Sequence, residues 1–148
     1  MNPVAFFVSG EPKAQPRARA AFFAGRAHMY TPSSAKEWTR AVMQAARAAE
    51  RTFASQPLEL GLDFVFQRPA SHFGTGKNAD RLKSSAPLHH TAKPDCDNLA
   101  KAVMDALTSC GTWDDDRQVI RLAVTKRWAA GKGGWDGCLI SISPENGE

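Results

Sequence analysis

From Leu58 to Phe66 apolar residues fall on every second position, Leu58, Leu60, Leu62, Phe64 and Phe66 alternating with Glu59, Asp63 and Gln67 around them. That two-residue period predicts a strand with one face in a core and the other in water. From Asp97 onward the period lengthens, placing Leu99, Val103 and Leu107 on one helical face and Asp97, Lys101 and Asp105 on the opposite one. Another helix is predicted after Pro32: Ser34-Ala-Lys-Glu37 has capping-box spacing, and Trp38, Val42, Ala45 and Ala49 form an apolar stripe reaching about Arg51. Shorter strands are expected at Val4 to Val8, at Ile120 to Trp128 (Ile120, Leu122, Val124 and Trp128 against Arg121, Thr125 and Arg127) and at Cys138 to Ile142. Lys132-Gly-Gly-Trp135 resembles a hairpin turn between the last two. Phe22 to Tyr30, broken by Gly25, is a second hairpin, and Gly10 to Arg19, with Pro12 and Pro16, is an ordered loop.

Residues 68 to 93 fit no period; they are polar and basic, with Gly74, Gly76, Ser84, Ser85 and Pro87. A loop this long in a compact domain usually binds something or is disordered, so a flexible basic arm that contacts a partner is the expectation here. The whole reads as an α+β protein: a single domain spanning residues 1–148, with a mixed β-sheet packed by two main helices.

A chain of 148 residues with 43% hydrophobic and 9% aromatic content can bury one sizeable core. No apolar run approaches the roughly 20 residues that span a bilayer, and the N-terminus lacks a charged start followed by an apolar stretch. No membrane partner is expected, and the default compartment is the cytoplasm. The three cysteines, Cys96, Cys110 and Cys138, have no paired spacing, so reduced thiols are expected rather than disulfides or a zinc site.

The net charge of +4 conceals an asymmetry. Between Pro94 and Gln118 six carboxylates (Asp95, Asp97, Asp105, Asp114, Asp115 and Asp116) face only Lys101 and Arg117, a local −4 that leaves +8 for the rest. Lys13 to Arg51 holds eight basic residues against Glu37 and Glu50, and Arg68 to Lys93 holds five basic residues and three histidines against Asp80. An acidic pocket within a basic rim suits a metal-dependent nuclease, the rim holding phosphates and the carboxylates holding a cation. The rim candidates are Lys13, Arg17, Arg19, Arg26, Lys77, Arg81, Lys83 and Lys93. For a single Lys or Arg, a solvated surface is the simpler reading, so the regional imbalance carries the argument.

Asp95 and Asp97 are two apart, so in an extended stretch both project to one side and can converge on a hard cation. Cys96 between them then points into the core. The Asp114 to Asp116 run follows Gly111, suited to ending the helix, and could fold back to supply another ligand. Plainer readings exist: Asp97 as a helix cap, Asp97 with Lys101 as a surface ion pair, the three aspartates as a solvated turn. Capping needs one aspartate, however, and leaves the second cluster unexplained. His89 and His90 have no third ligand at metal spacing, and phosphate contact suits them better. Asn98 is a candidate to support a ligand carboxylate, Asp105 to orient Lys101, and Trp113 and Trp128 to fill the core.

The order Lys93, Pro94, Asp95, Asp97, Asn98, Leu99, Lys101, then Asp105, Ala106, Leu107, then Trp113, Asp115, Asp116, Gln118, Val119 resembles the signature of the RusA family of Holliday junction resolvases. GEPKAQPRAR and YTPSSAKEW resemble the family's basic opening loop and the start of its first helix. The resemblance implies a homodimeric, Mg²⁺-dependent endonuclease, with Mn²⁺ as an alternative ion, resolving four-way DNA junctions to 5′-phosphate and 3′-hydroxyl ends in recombination and repair of a bacterial or phage genome. It places Asp116 on the third metal position beside Asp95 and Asp97, makes Asp115 a supporting residue, and suits Lys101 to stabilising transition-state charge. Two rivals stand beside it: a nuclease of the same chemistry acting on other branched or flapped DNA, and a non-catalytic DNA-binding module.

Overall fold

The computed structural model describes residues 2–15, 19–23, 25–30 and 33–145, with backbone alone for 19–23, 26–30 and 33–34. Arg17 therefore lies outside the described residues, as do the side chains of Arg19 and Arg26. The elements run β1 (Val4–Ser9), β2 (Arg19–Phe23), β3 (Arg26–Tyr30), α1 (Ser33–Ala48), β4 (Leu58–Phe66), α2 (Cys96–Ser109), β5 (Val119–Trp128) and β6 (Gly137–Pro144). One mixed sheet has the order β1-β6-β4-β5, antiparallel except for the β4/β5 pair, and β2 and β3 form a separate hairpin turning at Gly25 (φ 74°). This is an α+β domain of one four-stranded sheet and two helices, as the periodicity indicates.

The alternation in β4 decides the layering. Leu58, Leu60, Leu62, Phe64 and Phe66 are buried on one face beside Cys138, Ile140 and Ile142 of β6 and Val8 of β1. Both helices close over that face, α1 through Trp38, Val42 and Ala46 and α2 through Leu99, Ala100, Val103, Ala106 and Leu107. Each large apolar side chain so buried contributes about 1.5–3 kcal/mol. On the opposite face charged pairs meet water: Arg121 with Glu59 at 3.1 Å, and Arg127 with Asp63 at 3.3 Å. All three cysteines are free thiols, and burial pushes that of Cys138 up to about 12.

Two sequence expectations change. α1 stops at Ala48, Glu50 takes a positive φ of 54°, and the buried stripe continues at Ala46 instead of Ala49. β5 and β6 form no hairpin: β4 lies between them, and β5 is an edge strand parallel to β4. Being an edge, β5 is incompletely covered: Leu122, on the helix side of the sheet, is 44% exposed, and Ile120, at the register shift where β5 begins, is 61% exposed. Residues 68 to 93 carry two 3-10 turns, Ala70–His72 and Gly76–Asn78, and a bridge between Phe73 and Leu82 that buries Phe73.

Candidate active site

Leu122 and Val124 of β5 lie beside Leu60 and Leu62 of β4 and extend the core face past the edge of α2. The outward face of α2 stands over this strip, and between them opens a cleft of about 460 Å³. Its charged lining is Asp97, Lys101 and Asp105, one turn apart along α2, with Asp116. Ala100, Met104, Leu122 and Val124 supply apolar surface. Lys101 Nζ lies 3.0 Å from Asp105, which directs the ammonium along the helix. The face of α2 that the periodicity excludes from the core is thus the wall of a cleft.

Asp95 and Asp97 part company here. Helix α2 begins at Cys96, so Asp95 is its extended N-cap residue while Asp97 is already in the first turn. At about 100° per residue the two-residue period no longer applies; Asp97 lines the cleft, Asp95 does not, and Cys96, expected in the core, is half-buried on the lining. Neither carboxylate is used up in capping. Asp95 makes no side-chain cap bond, and among the described residues Asp97 accepts only the adjacent Asn98 N–H at 2.9 Å. The Asn98 carbonyl accepts from the backbone N–H of Gln15 at 3.0 Å, tying the opening loop to this end of α2.

Asp116 is placed by a neighbour whose role a linear reading does not reveal. Gln118 is buried; its Oε1 accepts from the N–H groups of Asp114 (2.8 Å) and Asp115 (3.0 Å), and its Nε2 donates to the carbonyls of Phe53 (3.1 Å) and Gln56 (3.0 Å). One amide thereby pins the aspartate loop to the segment before β4. Asp115 caps the short 3-10 turn Asp116–Gln118, its carboxylate accepting the Arg117 N–H at 2.9 Å, and that bond holds its pKa below the usual carboxylate value. The single signal in the sequence is the Asp115-to-Gln118 spacing, which matches a capping box.

His89 is exposed, but His90 goes elsewhere. His90, expected at phosphate, is 6% exposed and stacks on Trp128 at 3.9 Å and 17°, while Trp128 is half-buried in this stack and outside the main core. Burial, then Lys126, push the His90 pKa below its ordinary value. Of the basic candidates, Lys13 pairs with Glu11 at 3.2 Å, and Lys77, Arg81, Lys83 and Lys93 are exposed. A second groove, about 530 Å³, runs along α1, and among the described residues its charged lining is Lys36, Arg40 and Arg47. Its signal is their recurrence at i, i+4 and i+11 on one helical face. Gln15 also lines it, and through Gln15 it adjoins Asn98, the residue after Asp97.

The cleft's carboxylates are oxygen donors, the class a hard cation takes. Mg²⁺ in particular is usually held by one or two carboxylates and completed by water and phosphate. Asp97 and Asp116 fit that arrangement. A preassembled three-ligand cage is a different matter: among the described residues no three His, Cys, Asp or Glu side chains stand close enough together to hold a metal. Among the described residues, too, no helix is long and apolar enough to cross a membrane.

Residues 9–134 match the family model described as Endodeoxyribonuclease RusA. The chain is also 32% identical over 127 residues to the uncharacterised protein YqaN of Bacillus subtilis (strain 168), covering 85% of this chain and 88% of that one.

Proposed function

The chain belongs to the endodeoxyribonuclease RusA family, and from that premise we propose that it is a Mg²⁺-dependent, structure-selective nuclease that cuts four-way DNA junctions as a homodimer. The observation that carries the reading is the cleft itself: Asp97 and Asp116, distant in sequence, share its lining with Lys101. Asp97 and Asp116 would hold Mg²⁺, with Asp95 at the end of α2 as the third ligand. Bound there, the ion supplies Lewis-acid neutralisation of charge at the scissile phosphate. Lys101, held along the helix by Asp105, stabilises the extra negative charge of the transition state. The strand breaks to leave 5′-phosphate and 3′-hydroxyl ends.

The groove of Lys36, Arg40 and Arg47 supports a path for a duplex arm. Lys36 and Arg47 are eleven positions apart, about 16 Å along the helix, the span of a few phosphates on one strand. The dimer follows from symmetry: a four-way junction has a two-fold axis and needs two matched nicks, and one cleft per chain requires two chains. The uncovered edge of β5, with Ile120 exposed outside the cleft, is a candidate surface for that pairing.

The test is a labelled four-way junction, a flap and a linear duplex of matched sequence, each with Mg²⁺ and with chelator. The junction is expected to be cut in Mg²⁺ alone, with the duplex intact. Preferential cutting of the flap would move the substrate to other branched DNA; binding without cutting in any condition would make the protein a non-catalytic module.

A further inference from the structure

Asp95 joins two unlike pieces of backbone. After it comes α2; before it, residues 89–94 belong to no helix or strand. That stretch is held by β5. Lys126 and Trp128, two apart and hence on one face of the strand, both reach to it. Lys126 Nζ donates to the carbonyls of Ala92 (2.5 Å) and Pro94 (2.8 Å), and Trp128 Nε1 donates to that of His89 (3.2 Å). His90 stacks on the Trp128 indole, and Arg68 lies near the same ring, its guanidinium 5.6 Å from it and donating to the Pro87 carbonyl at 2.7 Å. A cation near the N-terminal end of a helix is electrostatically disfavoured, and two charge-assisted bonds to carbonyls offset that cost.

We propose that Lys126 is a positioning residue for the acidic site, fixing the backbone of residues 92–94 and through it the carboxylate of Asp95. Asp95 makes no side-chain cap bond to α2, so what locates its side chain is the backbone it stands on. The next two restraints upstream are the Lys126 bonds at Pro94 and Ala92. Among the described residues Lys126 pairs with no carboxylate and bonds backbone carbonyls instead, so it acts by where it holds the chain. Groups standing behind a metal ligand typically change metal affinity 10- to 100-fold when removed. The inference rests on the reading of Asp95 as a ligand.

The experiment compares full-length wild type with Lys126→Met and Lys126→Arg. Mn²⁺ affinity is measured without DNA, hydrogen exchange is followed at residues 93–99, and junction binding is titrated against salt in chelator. Lys126→Met is expected to weaken Mn²⁺ binding about tenfold and to speed exchange around Asp95, with junction affinity and its salt slope unchanged. Lys126→Arg recovers part of the loss. Unchanged Mn²⁺ affinity and exchange would overturn the proposal. A salt slope lower by about 0.9 with Mn²⁺ binding intact would overturn it too, making Lys126 a phosphate contact. Wild type that binds no Mn²⁺ would instead overturn the ligand reading beneath it. If the Met variant fails to fold, Lys126→Gln, which keeps one donor pair, reads the same affinity.

Discussion

Replacing Gln118 with methionine separates the scaffold of the site from its chemistry. The side chain keeps its length and loses four hydrogen bonds, two accepted from Asp114 and Asp115 and two donated to Phe53 and Gln56. They are not equivalent. Phe53 is fully buried, so its carbonyl regains no water and costs about 1–3 kcal/mol unsatisfied. Asp114 and Gln56 lie nearer solvent, so the other three bonds together cost about 1 kcal/mol more. The expected destabilisation is about 2–4 kcal/mol, a large share of the 5–15 kcal/mol typical of a domain. At about 2–4 °C per kcal/mol for a chain of this size, melting should fall by about 4–16 °C. Urea unfolding followed by tryptophan fluorescence measures it, since Trp113 is 2% exposed and bridged to Phe53 beside the mutated amide. Cutting should fall further than the folded fraction, because the loop that places Asp116 is released. A loss below about 1 kcal/mol, or full activity at temperatures where the variant is folded, would refute the account of how Asp116 is held.

Asp97→Asn should abolish Mg²⁺-dependent cutting while leaving junction binding nearly intact, since affinity comes chiefly from phosphate contacts; gel shifts and cleavage on one substrate check both. Lys36→Gln, Arg40→Gln and Arg47→Gln together should weaken binding to every DNA form and lower the slope of log K against log salt by about 0.9 for each phosphate no longer neutralised, and an unchanged slope would remove α1 from the interface. His90 has a pKa depressed below its ordinary 6.5 by burial and by Lys126, so the unfolded chain binds the extra proton first. Stability should therefore be fully present above about pH 6.5 and decline as pH falls toward the depressed value, a decline that His90→Phe should flatten in urea titrations at pH 7 and pH 5. The two-site reading predicts that wild-type chains mixed with excess Asp97→Asn chains nick one strand of a junction without resolving it; a monomer on DNA by light scattering would sink it.

The elements legible in the sequence are those whose period reports a local fact. Leu58 to Phe66 and Leu99 to Leu107 announce a strand and a helix because burial of one face imposes a period of 2 or 3.6 wherever the element sits. The face of α2 bearing Asp97, Lys101 and Asp105 was readable for the same reason: what the core leaves out must face solvent or a site. The elements misread are those whose neighbours matter. Leu122 and Val124 alternate like β4, yet on an edge strand that α2 covers only in part they stay partly in water. Nor does a glycine pair before a strand say which strand will lie beside it, and β4 intervenes.

By itself the sequence determined an α+β domain, an acidic helix face and a basic remainder, because composition and periodicity are properties of the chain before it folds. The tertiary structure alone decided that Asp97 faces the cleft while Asp95 is carried on the strap beside it, since one residue's difference in where α2 starts turns the two apart. It alone brought Asp116 into the same cleft, through an amide on Gln118 that bonds backbone 62 and 65 positions away. It also made His90 a packing residue and set Lys126 and Trp128 to hold the carbonyls of His89, Ala92 and Pro94. Bonds of that kind are long-range, and no period along the chain encodes them.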